Sequence, residues 1–270
     1  MKSDEFYIGW QDKEPPGYRR AFFRFFALAF TLMLAFAILF VVAERGFVDS
    51  YFDYGHLTEM KGRLVLEPVP ALITEEHGMK KTVPLVGFGK FGAEPVVKHF
   101  QGQVGGDLSA YEVVLRGTIF RYQDKVWMEL TEGEQSVLSY KRGAPLKRQI
   151  AQAGAIQLLG EIVDPKCFFG VMNPGSEAVH RSCAIRCISG GVPPLLALRE
   201  NGEFTDYYFL TDDQLRGIHN QVLPYVGLPM QLSGEVVLYD DWKVLKIDDA
   251  SLTASRIFAH GEASLSLCME

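Results

Sequence analysis

Three of the chain's four cysteines and one of its six histidines fall within CFFGVMNPGSEAVHRSCAIRC, residues 167–187. Thiolate and imidazole are the donors that zinc, monovalent copper and iron–sulfur centres accept. If 178–188 is helical, His180, Cys183 and Cys187 stand at offsets 0, 3 and 7. At about 100° per residue these three side chains lie within roughly 60° of one another on one face. The glycines and proline of GVMNPGS give the chain a flexible return that brings Cys167 over that face. Cys167, His180, Cys183 and Cys187 therefore form a candidate metal-ligand set. The spacing C-x₁₅-C-x₃-C names no particular metal, because the C-x-x-C, C-x-x-C-H and C-x-H signatures are all missing.

Two other chemistries compete for the same residues. In an oxidising compartment paired cysteines are the default, and Cys167 joined to Cys183 or Cys187 would close a loop of about 17–21 residues. On the chain-entropy estimate that stabilises by roughly 3 kcal/mol. Cys183 and Cys187, one helical turn apart, are poorly directed toward each other, and one thiol is left over for Cys268. Alternatively His180 activates Cys183, with Arg181 and Arg186 adding positive potential. No second acid, base or oxyanion feature accompanies that pair, so no catalytic residue is assigned. Ser-His-Asp arrangements, paired carboxylates and H-E-x-x-H are likewise missing. His56, His77, His99 and His219 sit in contexts typical of structural or solvated histidines.

The compartment follows from a second segment. FFALAFTLMLAFAILFVVA, residues 25–43, is uncharged and has Thr31 as its one polar residue. A helix of that length covers about 28 Å, close to the hydrocarbon thickness of a bilayer. Lys13, Arg19, Arg20 and Arg24 precede it, whereas Glu44, Arg45, Asp49 and Asp53 follow. That asymmetry predicts a cytoplasmic tail over 1–24 and export of everything beyond the span. No A-x-A-like cleavage site follows, so an uncleaved anchor is expected. In a bacterium this means the inner membrane, with the C-terminal part in the periplasm.

Past residue 55 short β-branched and aromatic runs alternate with Gly, Pro and Asp. VVLRGTIFRYQDKVWMEL (113–130) and MQLSGEVVLYDDWKVLKI (230–247) each read as strand-turn-strand, and share Leu115/Leu232, Gly117/Gly234, Tyr122/Tyr239 and Asp124/Asp241. KGRLVLEP (61–68) and LGEIVDP (159–165) each place a glycine before a strand ending in acid-Pro. These correspondences predict a mainly β exported part of two related units, 56–145 and 153–250. A Cys/His insertion occupies 165–191 and a tail 251–270. In size and strand economy the units resemble small OB-type β-barrels, a likeness of fold that names no function. KRGAPLKRQIAQ (141–152) reads as the linker, and 210–227 as a helix capped by Asp212 and stopped near Pro224. GFGKFG (87–92) matches the G-x-G-x-x-G spacing, but with Pro95 close behind it no helix is expected to follow, and a loop is the better reading.

A net charge of −6 argues against nucleic acid as a partner. The absence of a catalytic motif, together with the anchor, points to a non-enzymatic accessory or stabilising subunit. Its expected partner is an integral membrane protein complex, met through both the transmembrane helix and the periplasmic domain. The alternative is a domain that handles metal or electrons at the Cys/His cluster, using zinc, copper or an iron–sulfur centre. A thiol enzyme is the third.

Overall fold

The computed structural model describes residues 16–44, 50–76, 78–172, 174–247, 251–252 and 256–257. Most of the tail 1–24, most of 251–270, His77 and Cys268 lie outside the described residues. The chain divides into two units, 1–47 and 48–270.

The first unit holds α1, Pro16–Glu44, 29 residues and therefore about 43 Å long. It starts earlier than the apolar run because Pro16 suits a first helical turn, whose amide needs no partner. From Gly17 to Ala43 it is long and apolar enough to cross a membrane. Its polar exception is satisfied internally: the Thr31 hydroxyl donates to the Ala27 carbonyl at 2.8 Å.

The second unit is mainly β. Its first half contains β1 (Ser50–Phe52), β2 (Thr58–Val65), β3 (Ala71–Glu76), β4 (Met79–Gly87), α2 (Glu94–Val104), β5 (Tyr111–Tyr122), β6 (Lys125–Leu130) and β7 (Val137–Arg142). Strands β2, β3, β4, β6 and β5 pair in that order and β5 returns to β2, closing a five-stranded barrel. All neighbours are antiparallel except β4 and β6. β1 and β7 add to β5 outside the ring.

The second half contains β8 (Ile150–Val163), α3 (Glu177–Ser189), β9 (Leu195–Glu200), β10 (Glu203–Thr211), α4 (His219–Val222), β11 (Pro229–Tyr239), β12 (Trp242–Lys246) and β13 (Arg256–Ile257). Its sheet runs β12-β10-β9-β8-β11-β13, with a further β11–β12 pairing and one parallel neighbour pair, β10–β12. Both strand-turn-strand segments are hairpins: β5–β6 turns at Gln123 and β11–β12 at Asp240, each with positive φ. Gly117 and Gly234 serve one purpose in both. A Cβ there would stand 2.3 Å from the Glu129 carbonyl oxygen and 2.4 Å from that of Lys246, so only glycine lets the strands approach.

Three expectations need correction. A helix, α2, does follow GFGKFG: Pro95 falls in its first turn, where proline is tolerated, and Val97 and Phe100 give it a buried stripe. The expected helix over 210–227 shrinks to the single turn α4, because the Asp212 carboxylate is used in a turn, accepting from the Gln214 and Arg216 amides. The linker 141–152 is shorter than expected, with strand at both of its ends. β7 runs to Arg142 and β8 begins at Ile150, and the remaining connector is tied down by Arg148, whose guanidinium pairs with Asp240 at 2.8 Å.

Alternating side chains divide the core. Leu64, Leu85, Leu115 and Met128 fill the barrel; Leu158, Tyr208, Leu210 and Leu245 pack on one face of the second sheet. A third, aromatic core joins the two halves, with Phe120 and Trp127 meeting Phe169, Phe209 and Trp242; the two tryptophan rings lie 5.5 Å apart, edge to face. At its margin Lys166 is buried and pairs with buried Glu129 of β6 at 3.0 Å. Lys166→Met leaves that carboxylate without its counter-charge and is expected to cost about 3–5 kcal/mol. Lys166→Met combined with Glu129→Leu should recover most of the loss, read as guanidinium unfolding of the full chain in detergent by tryptophan fluorescence.

Candidate metal centre

The connection from β8 to β9 carries the cysteines. β8 ends at Val163, and buried Asp164 organises the next turn: its Oδ1 accepts from the Cys167 amide at 2.9 Å and its carbonyl from the Phe168 amide at 3.0 Å. Cys167–Val171 then forms one π-helical turn, closed by the Met172 amide donating to the Cys167 carbonyl at 3.0 Å. The chain returns through 172–176 into α3. His180, Cys183 and Cys187 lie at the expected helical offsets, while Ala184 and Ile188 point into the second sheet's core. Gly190 and Gly191 end the helix.

These elements bring all four expected ligands together, in two sets. The ligand atoms of Cys167, His180 and Cys183 lie within 4.8 Å of one another, and so do those of Asp164, Cys167 and Cys187. Cys167 belongs to both. The Cys167 and Cys183 sulfurs are 3.8 Å apart. With metal–sulfur bonds of about 2.3 Å, a tetrahedral site has an edge of about 3.8 Å, whereas a disulfide needs about 2.05 Å. The three cysteines among the described residues are free thiols. His180 Nε2 stands 3.2 Å from Asp164 Oδ2, with both side chains buried. A carboxylate there fixes the orientation of the ring, as outer partners of metal-bound histidines do.

Electrostatics distinguish the thiols. The Cys167 thiol is pushed far up, first by its hydrogen bond to Cys187 and then by burial. The same hydrogen bond draws Cys187 down. Half-buried Cys183 accepts from the Lys90 ammonium at 3.0 Å, and that contact raises Lys90 against the opposing effect of burial.

Lys90 arrives from the first half of the domain, in the loop GFGKFG. The loop is held by Lys166, which donates to the carbonyls of Gly87 at 3.1 Å and Gly89 at 2.6 Å, and by the Gly92 amide donating to Gly190 at 3.0 Å. Backbone lies directly on backbone here. A Cβ on Gly190 would stand 1.9 Å from the Lys90 carbonyl oxygen, and one on Gly92 just as close to that of Gly191. The glycine spacing therefore serves a docking contact between the two halves rather than a phosphate.

Sequence reasoning missed Asp164, Lys90, Lys166 and Glu129 as parts of this centre. Asp164 was visible only as the acid before Pro165, and Lys90 only as a loop residue. Of the two arginines, Arg181 donates to the Pro224 carbonyl at 2.8 Å and Arg186 is exposed. His56 and His99 are exposed and pair with Asp53 and Glu134. No protein-family model, no curated protein and no solved structure matches the chain.

Exposure ranks the thiols for attack. In reduced, metal-free protein, iodoacetamide is expected to modify Cys183 first, with buried Cys167 and Cys187 slower by about tenfold or more. Peptide mass mapping during a time course would give the order.

Proposed function

We propose that this chain is a single-pass membrane protein whose exported, periplasmic part holds a thiophilic metal ion at Cys167, His180, Cys183 and Cys187. The observation that carries this reading is the convergence of free thiols and a carboxylate-backed imidazole at metal-binding separations. Zinc and monovalent copper suit these donors. The basic flank before α1 supports a cytoplasmic N-terminus in a bacterial inner membrane. The scaffold we read as two OB-like barrels. In its favour, the pairings β8–β9, β9–β10, β10–β12, β12–β11 and β11–β8 repeat those of the closed barrel one for one. In each half a helix lies between the third and fourth of these strands.

Full-length protein extracted in mild detergent without air is expected to contain zinc or copper in at least stoichiometric amount by elemental analysis, and Cys167→Ser to lose it. Wild-type protein that neither retains nor takes up either metal, with its thiols reduced, would falsify this function.

A second reading adds the setting: an accessory subunit held against an integral membrane complex by α1, whose apolar surface is fully exposed around its circumference. Such a helix is satisfied by lipid or by other spans. Size separation of the same extract should show the chain migrating with a membrane partner. A lone species of 30.3 kDa plus detergent would remove the accessory role and leave the metal reading standing.

A further inference from the structure

We infer that the centre holds a pair of zinc ions bridged by the Cys167 sulfur. This rests on the metal-binding reading above and goes beyond it in number, geometry and ligands.

The donors are too many for one ion and fall into two overlapping sets. A tetrahedral ion takes four ligands. Here five side chains, Asp164, Cys167, His180, Cys183 and Cys187, contribute to two sets of three that share Cys167. Cys187 falls in one set with Asp164, and His180 and Cys183 in the other, and the sets also meet where His180 Nε2 stands 3.2 Å from Asp164 Oδ2. A thiolate sulfur has lone pairs enough to bind two ions at once. Each ion then has three protein ligands and one open position, unlike a closed structural site.

Charge allows the same count: three thiolates and the Asp164 carboxylate supply four negative charges, enough for two dications, with the Lys90 ammonium beside Cys183. The donor types select the element. Sulfur and nitrogen suit monovalent copper as well as zinc, but a set containing a carboxylate oxygen favours zinc. Asp164 has capacity to spare: its two oxygens already accept from the Cys167 amide and meet His180, and each retains a further lone pair. Lys90 stays outside both sets, donating to the Cys183 sulfur.

The test uses the full chain in detergent, in a Cys268→Ser background so that only the three clustered thiols count. Reduced protein stripped with a chelator is titrated with zinc and its stoichiometry read by native mass spectrometry. Cadmium-113 is then substituted and observed by NMR. Two ions per chain, with two cadmium resonances split by coupling through the shared sulfur, is the expected result. One ion per chain overturns the pair and leaves the metal-binding function intact, whereas none overturns both. Two uncoupled resonances overturn the bridge. Asp164→Asn should lose one ion and the splitting while keeping the resonance of the His180 side. His180→Ala should do the converse, and retention of two coupled ions by both variants would sink the assignment.

Discussion

A buried ammonium must be neutralised and hydrogen-bonded, and Lys166 meets both needs across the boundary between the two halves of the domain. Its charge is matched by Glu129 of β6, and its remaining hydrogens go to the carbonyls of Gly87 and Gly89. Because Lys166 directly precedes Cys167, this one residue sets the distance between the cysteine-bearing turn and the Lys90 loop. The Gly89 amide donates to the same Glu129 carboxylate at 3.3 Å, so the loop is fixed from both ends of the ion pair. If that arrangement is lost, the aromatic core still glues the halves together, but the Lys90 loop keeps only its backbone contacts with Gly190 and Gly191 to hold it beside Cys183.

The cluster itself is layered. Asp164 shapes the turn through Cys167 and orients His180, so a single carboxylate controls both the π-helical turn and the helix opposite it. α3 presents its cysteines on one face and its aliphatic residues on the other, wedged between the inter-sheet core and the second sheet's core. Ligands held by packing on two sides are placed with little freedom, which soft-metal sites need for affinity.

Much of this was legible in the residues. The offsets of His180, Cys183 and Cys187 gave the helix face, the paired hairpin sequences gave two similar sheets, and the all-apolar run gave α1. What stayed hidden depended on long-range partners. Asp164 and His180 are 16 residues apart, and Lys90 and Cys183 are 93 apart; no local period reports such meetings. Pro95 misled because proline stops a helix from inside yet starts one readily from its first turn. Asp212 misled because the same side chain caps helices and closes turns, and the strained Leu215 and the glycine after Arg216 decide for the turn.

The order of the barrel strands along the chain has a consequence for biogenesis. All five barrel strands, β2 to β6, precede β8 in the chain. Glu129 and the glycine loop therefore leave the ribosome ahead of the clustered cysteines. The surface against which those thiols dock is made of residues that emerge first, so a barrel able to fold on its own would shorten their exposure to oxidants and to mispairing with other nascent chains.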